Sequence, residues 1–212
     1  MKRFVVVSLF PELVEGFSSL ALIHRAQKER LISVEALQLR DFAEPPHYRV
    51  DEKPYGGGPG MLMTCEPIVR ALESLGPSNS KQRRILLSAK GRPFQQEDAK
   101  RLSEFDELVF VAGRYEGVDE RVSQHFIDEE FSFGEAVLMG GELPALSLIE
   151  AISRFVPGVL GNEDSLLEES HSSGLPQEYA QYTRPREFRG HCVPEVLVSG
   201  DHSKVEEWRH GN

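Results

Sequence analysis

Residues 54–60 read Pro-Tyr-Gly-Gly-Gly-Pro-Gly, a run that can form neither helix nor ordinary strand. Glycine permits positive φ and close approach of a ligand to the backbone, while Pro54 and Pro59 hold φ at about −65°, so the loop is bent yet restrained. Two readings fit this segment alone: a tight structural turn, or a loop moulded against a ligand or a nucleic-acid backbone. Two more glycine-bearing segments, Gly113-Arg114-Tyr115-Glu116-Gly117 and Gly140-Gly141-Glu142-Leu143-Pro144, each follow a β-like apolar run and precede a helix-like pattern. Strand-to-helix turns are where open α/β sheets bind ligands. None of the three fits G-x-G-x-x-G or G-x-x-x-x-G-K-[ST], so dinucleotide and ATP chemistry gain nothing from the spacing. The pattern asks for a different nucleotide-like ligand.

The elements that must position these turns follow from periodicity. Apolar, β-branched runs at Arg3–Val7, Val34–Leu39, Arg84–Leu87, Glu107–Val111 and Ala136–Met139 predict buried strands. Between them Glu66–Leu75, Gln95–Phe105 and Leu143–Phe155 repeat apolar residues at helical spacing. This alternation implies an α/β fold, a mostly parallel sheet with helices on its faces. The pattern breaks near Pro157, and residues 161–178 read as an acidic, serine-bearing flexible linker. Residues 179–212 offer one strand-like run, Val193–Val198, and one helical run, Ser203–Arg209. That is too little for a separate core, so residues 1–160 form the main domain and the tail a small appendage.

Composition narrows the class. A chain of 212 residues with 40% hydrophobic content can hold a proper core. No apolar run reaches the roughly 18 residues a membrane span needs, and Phe4–Val7 is too short for a signal peptide, so a cytoplasmic protein is expected. Cys65 and Cys192 lack zinc-site spacing, which leaves two free thiols and no metal cluster. A net charge of −10 argues against nonspecific coating of nucleic acid. The charge is uneven. Lys81, Arg83, Arg84, Lys90, Arg92, Lys100 and Arg101 face only two acids within residues 81–101, the best phosphate-contact candidate in the first two thirds of the chain.

Taken together, Asp51–Met63 (DEKPYGGGPGMLM), Ala112–Val122 (AGRYEGVDERV), Ser132–Ile149 (SFGEAVLMGGELPALSLI) and Gln181–Pro185 (QYTRP) resemble the bacterial tRNA (guanine-N1)-methyltransferases. The match keeps its order from Ser8-Leu9-Phe10-Pro11 to Val193-Pro194-Glu195-Val196-Leu197 and Trp208-Arg209. The resemblance implies a trefoil-knotted α/β domain, a small, mainly helical C-terminal domain that contacts tRNA, and a homodimer whose active sites are completed by both subunits. It implies S-adenosylmethionine as methyl donor and N1 of the guanine just 3′ of the anticodon, tRNA position 37, as acceptor. Whether Mg2+ assists base deprotonation stays open.

By the same resemblance, three segments hold the donor. They supply Leu87 and Ser88, then Gly113, Tyr115, Glu116 and Gly117, and then Ser132, Phe133, Gly134, Val137, Leu138, Gly140, Gly141 and Pro144. On this view Gly141→Val should fill the pocket and leave the fold largely intact. The acceptor sets a second requirement. Guanine N1 carries a proton that a base must take while charge moving toward O6 is stabilised, which calls for a carboxylate and a cation. The family supplies an arginine after the G-G-E-L-P helix, here Arg154, and a linker aspartate, replaced here by Glu169. From the residues alone, a pair with Glu150 four residues earlier is the favoured explanation of Arg154, and the resemblance alone promotes it to the O6 role. Tyr55, Gly57, Gly58, Arg184 and His202 are the RNA-contact candidates.

The chain departs from the family pattern at several points. Ser-Pro-Gln-Gly becomes Ser88-Ala89-Lys90-Gly91, the cysteine before G-R-Y-E-G becomes Ala112, and G-D-Y-V-L becomes Gly134-Glu135-Ala136-Val137-Leu138. Residues 179–212 are short relative to the family. Three readings therefore stand: an active tRNA guanine-N1 methyltransferase, a diverged knotted protein that binds RNA or S-adenosylmethionine with weak or no catalysis, and a nucleotide enzyme of another chemistry, which the missing fingerprints disfavour.

Overall fold

The computed structural model of the chain describes residues 1–161 and 179–211. Two compact units divide the chain, Met1–Asn162 and Glu163–Asn212. The first is built on β1 (Lys2–Ser8), β2 (Ile32–Gln38), β5 (Gln82–Pro93), β6 (Glu107–Ala112) and β7 (Glu129–Ser132), with β3 (Asp51–Glu52) and β4 (Leu62–Met63) forming a short antiparallel pair apart from the main sheet. The five strands lie side by side in the order β2-β1-β6-β5-β7 and every pairing is parallel.

Alternation along the central strands explains the layers. Phe4 and Val6 of β1 join Leu108, Phe110 and Ala112 of β6 in one apolar cluster, while Val5 and Val7 join Val109 and Val111 in another. Successive side chains point to opposite faces, so a strand covered on both sides reads as an unbroken apolar run. The first face receives α1 (Pro11–Ser18), α2 (Ala21–Lys28), α4 (Gln96–Leu102) and α6 (Glu142–Ser153) through Val14, Ile23, Leu102 and Ile149. The second receives α3 (Cys65–Ser74) and α5 (Glu120–Phe126) through Ile68, Leu72 and Val122. Helices on both faces of a parallel sheet are what the alternation implied.

Two predicted strands are not strands. Ala136–Met139 is an irregular loop in which Val137 and Met139 are 85% and 92% exposed. The fifth strand is β7, whose sequence Glu-Glu-Phe-Ser hid it behind two charges. Val193–Val198 contains instead α7 (Glu195–Val198), entered from Pro194 at φ −51°; proline presets the backbone for a helical first turn. Helices α1, α2 and α5 go beyond the three that periodicity named. The second unit also carries a hairpin of β8 (Glu187–Phe188) and β9 (His191–Cys192), and α8 (His202–Gly211). Among the described residues no helix is long and apolar enough to cross a membrane.

The basic stretch 81–101 is largely committed to the fold. Arg92 forks onto Asp98 at 2.7 and 2.5 Å, Arg101 reaches Asp98 at 3.0 Å and Glu129 at 2.6 Å, and Arg83 stacks on Phe105 at 4.3 Å. These side chains stitch α4 to the edge strand β7 and are not a free phosphate surface. Burial works against ionisation of Asp98, but Arg92, Arg101 and the backbone N–H of Gln95 outweigh it and hold the carboxyl below its usual range. A depressed carboxyl stabilises the fold above its unfolded value and loses that contribution as pH falls through the folded one. Asp98→Asn should therefore lower unfolding free energy at pH 7 by about 2 kcal/mol, with the gap to wild type closing as pH drops below about 4. Urea titrations at both pH values measure it; a gap independent of pH would show that charge is not the cause.

Candidate active site

A bow within β5 and the loops that leave the carboxyl ends of β6 and β7 surround one cavity of about 460 Å³. That volume suits a small organic ligand. β5 and β7 run in register to Leu87–Phe131, lose it, and resume at Arg92–Phe131, so residues 88–91 bow outward and bring Ser88 and Lys90 to the cavity. Gly91 lets this bow close, since a Cβ there would stand 2.6 Å from the backbone of Phe131. From β6 come Gly113, Tyr115, Glu116 and Gly117, and from the segment after β7 come Phe133, Val137, Leu138, Gly140, Gly141 and Pro144. With Leu87 and Ser88, these are the sequence-predicted donor residues that the fold brings together. Ser132 and Gly134 do not line the cavity; Ser132 is buried at the end of β7.

Backbone pairing fixes the loops against one another. Gly141 N–H donates to Gly113 O at 2.8 Å, Met63 N–H to Gly117 O at 2.9 Å, and Glu116 N–H to Met61 O at 3.0 Å. The segment that leaves the 54–60 loop is thus stitched to the second glycine block. Gly56, Gly57 and Gly58 adopt φ of +82°, +80° and +127° with open space where a Cβ would point, and Tyr55 is fully exposed. The tyrosine does not pack across the turn. Gly141 answers the substitution raised above differently from expectation: its Cβ would stand 2.8 Å from Ala112 Cα and from Gly113 N. Gly141→Val would break the seating of α6 on β6 and could not test the cavity alone.

Charge is arranged at the rim. Lys90 and Glu120 both line the cavity and pair with each other, and the Glu120 hydrogen bond raises the Lys90 ammonium above the usual lysine value. Arg114, also lining, gives its Nε–H to Glu142 Oε2 at 2.9 Å and lies over the Phe10 ring at 4.4 Å. Burial and then Asp119 push the Cys65 thiol up, which disfavours its thiolate. Among the described residues no group of three or more His, Cys, Asp or Glu side chains could hold a metal ion.

This cavity belongs to a chain whose whole length finds relatives. Residues 1–212 match the family described as tRNA (Guanine-1)-methyltransferase TrmD. The chain belongs to this family. A tRNA (guanine-N(1)-)-methyltransferase of Alkaliphilus oremlandii is 48% identical over 210 residues, covering 96% of this chain and 84% of that protein. The protein of that name from Ruminiclostridium cellulolyticum is 47% identical over 208 residues, covering 98% and 89%. Geobacter metallireducens has another, 47% identical over 207 residues and covering 98% and 84%.

Family membership gives weight to where the remaining candidates fall. Arg154 caps the carboxyl end of α6, whereas Gly141 and Pro144 of the cavity sit at its amino end. At about 1.5 Å per residue the helix holds the two ends roughly 20 Å apart. Glu169 lies outside the described residues, as does nearly all of the expected linker. Arg184 and His202 are exposed in the second unit, where Arg186, Lys204 and Arg209 pair with Glu195, Asp201 and Glu206. Of the departures from the family pattern, Ala136 and Lys90 line the cavity and Ala112 is buried beneath Gly141. Sequence reasoning missed the contact of Glu142 with Arg114 and Ser8; an acid in a helix's first turn carries no signal beyond the usual dipole preference.

Proposed function

We infer that this chain transfers a methyl group from S-adenosylmethionine to N1 of guanine in tRNA, at position 37 just 3′ of the anticodon. The observation that carries the reading is one cavity where the 88–91 bow, the 113–117 turn and the 133–144 segment meet, in a chain that belongs to the tRNA (guanine-1)-methyltransferase family over its full length. The cavity suits the donor: its lining combines apolar Leu87, Leu138 and Pro144 with the glycines Gly113, Gly117 and Gly140. When bound, the donor supplies an electrophilic methyl on a sulfonium. The chain then has to exclude water, align the acceptor, take the N1 proton through Glu169 and stabilise O6 through Arg154.

A homodimer with composite sites follows from the same reading. Phe133, Val137, Met139 and Leu143 leave large apolar side chains exposed around the cavity. Such a patch beside a site marks an interaction surface. A second copy would cover it and could bring its own Arg154 to the cavity. We also propose the trefoil knot, with the loops after β6 and β7 as its crossing segments, and residues 179–212 as the tRNA-contacting part through Arg184 and His202. Tyr55, Gly57 and Gly58 would meet the RNA beside the cavity.

Labelled S-adenosylmethionine with an unmodified tRNA transcript carrying guanine at position 37 should yield labelled tRNA, and a transcript with adenine there should not. Donor binding without transfer would favour a diverged binding protein. The cavity wall offers a second measurement. Ala136 stands where the family pattern has tyrosine, so Ala136→Tyr adds an apolar wall and should tighten S-adenosylhomocysteine by about tenfold, on the order of 1.4 kcal/mol. Calorimetry decides, and unchanged affinity would place the adenosine elsewhere.

A further inference from the structure

We propose that Glu142 is a positioning residue for the donor cavity, holding Arg114 and through it the turn 113–117 in the shape that receives the donor. The proposal rests on the reading that this cavity takes S-adenosylmethionine. Glu142 itself is 1% exposed and does not line the cavity. A carboxylate taken so far from water costs several kcal/mol unless both oxygens are bonded. Both are. Oε1 accepts from Ser8 Oγ at 2.8 Å and Oε2 from Arg114 Nε at 2.9 Å.

Each partner is itself held. Ser8 ends β1, is fully buried, and its Oγ accepts the Phe10 N–H at 2.8 Å, so the anchor is part of the central sheet. Arg114 is fixed on one side by the carboxylate and on another by the Phe10 ring, and its backbone N–H meets Met63 Sδ at 3.1 Å. Residue 114 begins the turn that brings Tyr115, Glu116 and Gly117 to the cavity. The clasp therefore ties β1, the 113–117 turn and the first turn of α6 into one unit. Gly140 is part of the device: a Cβ there would stand 2.2 Å from Arg114 Nε and 2.6 Å from Glu142 Oε2. No side chain other than glycine leaves the pair room to close.

Stability alone is a poor explanation for this arrangement, because a buried pair seldom outperforms well-packed apolar residues. A planar guanidinium gripped on an edge and a face sets an orientation, which lysine could not do. Removing the carboxylate charge should leave the strands in place and let the turn relax.

The test is titration of S-adenosylhomocysteine into the full chain as wild type, Glu142→Gln, Arg114→Ala and the double variant. Glu142→Gln and Arg114→Ala should each weaken binding about tenfold or more, and the double variant should be no weaker than the worse single. In steady state Glu142→Gln should raise the donor KM about tenfold while kcat changes less than about threefold. A purely structural role would lower the unfolding midpoint and leave the folded protein's affinity unchanged; that result, or additive losses, overturns the proposal. Should Glu142→Gln fail to fold, Arg114→Lys keeps a cation against the buried carboxylate without the planar fork. It should show the same weakening, and wild-type affinity in it is equally decisive against the clasp. No binding by the wild type would overturn the donor-cavity reading together with this one, whereas equal binding by wild type and variants overturns this one alone.

Discussion

Arg154→Ala is expected to lower turnover about 10²- to 10³-fold while donor affinity stays within about twofold. The split follows from position. Arg154 stands at the far end of α6 from the cavity that its own chain would use for the donor. Its proposed partner is O6 of the guanine, where charge grows only as N1 loses its proton, so its interaction is stronger in the transition state than in the ground state. Near-normal turnover in the variant would reduce Arg154 to a helix-end structural residue. A mixing experiment adds what a single variant cannot. Leu138→Trp fills the cavity from an exposed wall position and should be inactive for want of donor. If sites are composite, inactive Arg154→Ala and inactive Leu138→Trp chains recombine so that each heterodimer holds one complete site, and random mixing restores about a quarter of wild-type activity. No recovery on mixing would mean that one chain supplies both groups.

The parallel sheet was legible because its centre is covered on both faces: Phe4–Val7 and Leu108–Ala112 are apolar at every position, and nothing but a buried strand explains that. The cavity-lining turns at 113–117 and 140–144 were legible because glycine at a strand-to-helix junction has few other uses. Hydrophobicity failed where burial is not supplied by the chain's own core. Ala136–Met139 reads as a strand and is a loop that leaves Val137, Leu138 and Met139 exposed. β7 was missed for the converse reason: Glu129 pairs with Arg101, and one oxygen of Glu130 accepts from Ser123 Oγ, partners supplied by remote segments. The same non-locality hid the Ser8–Glu142–Arg114 contact, which joins residues 134 and 28 positions apart. It also hid the fate of the basic stretch, whose charge count looked like a phosphate surface until Asp98 and Glu129 were found beneath it.

Glu169→Gln carries the other large effect, a loss of about 10²- to 10⁴-fold in turnover if this carboxylate takes the N1 proton. Proton affinity is no obstacle to its standing where the family pattern has aspartate, since the two side chains differ by only about 0.4 in intrinsic pKa. Geometry is the issue. One more methylene shifts the carboxylate by about 1 Å, and a displacement of that size can cost about 10²-fold unless the backbone adjusts. Measurable but modest wild-type activity is therefore expected, retained or improved in Glu169→Asp. The rate should rise with pH through the carboxylate's pKa, because only the ionised form accepts a proton, and Glu169→Gln should remove that acid limb. Glu168 provides the control, being chemically identical and one residue upstream. Full activity in Glu169→Gln with loss in Glu168→Gln would move the role to Glu168. If both variants work as well as the parent, the base lies outside this segment, and Glu116, already at the cavity beside Gly60, becomes the carboxylate to test.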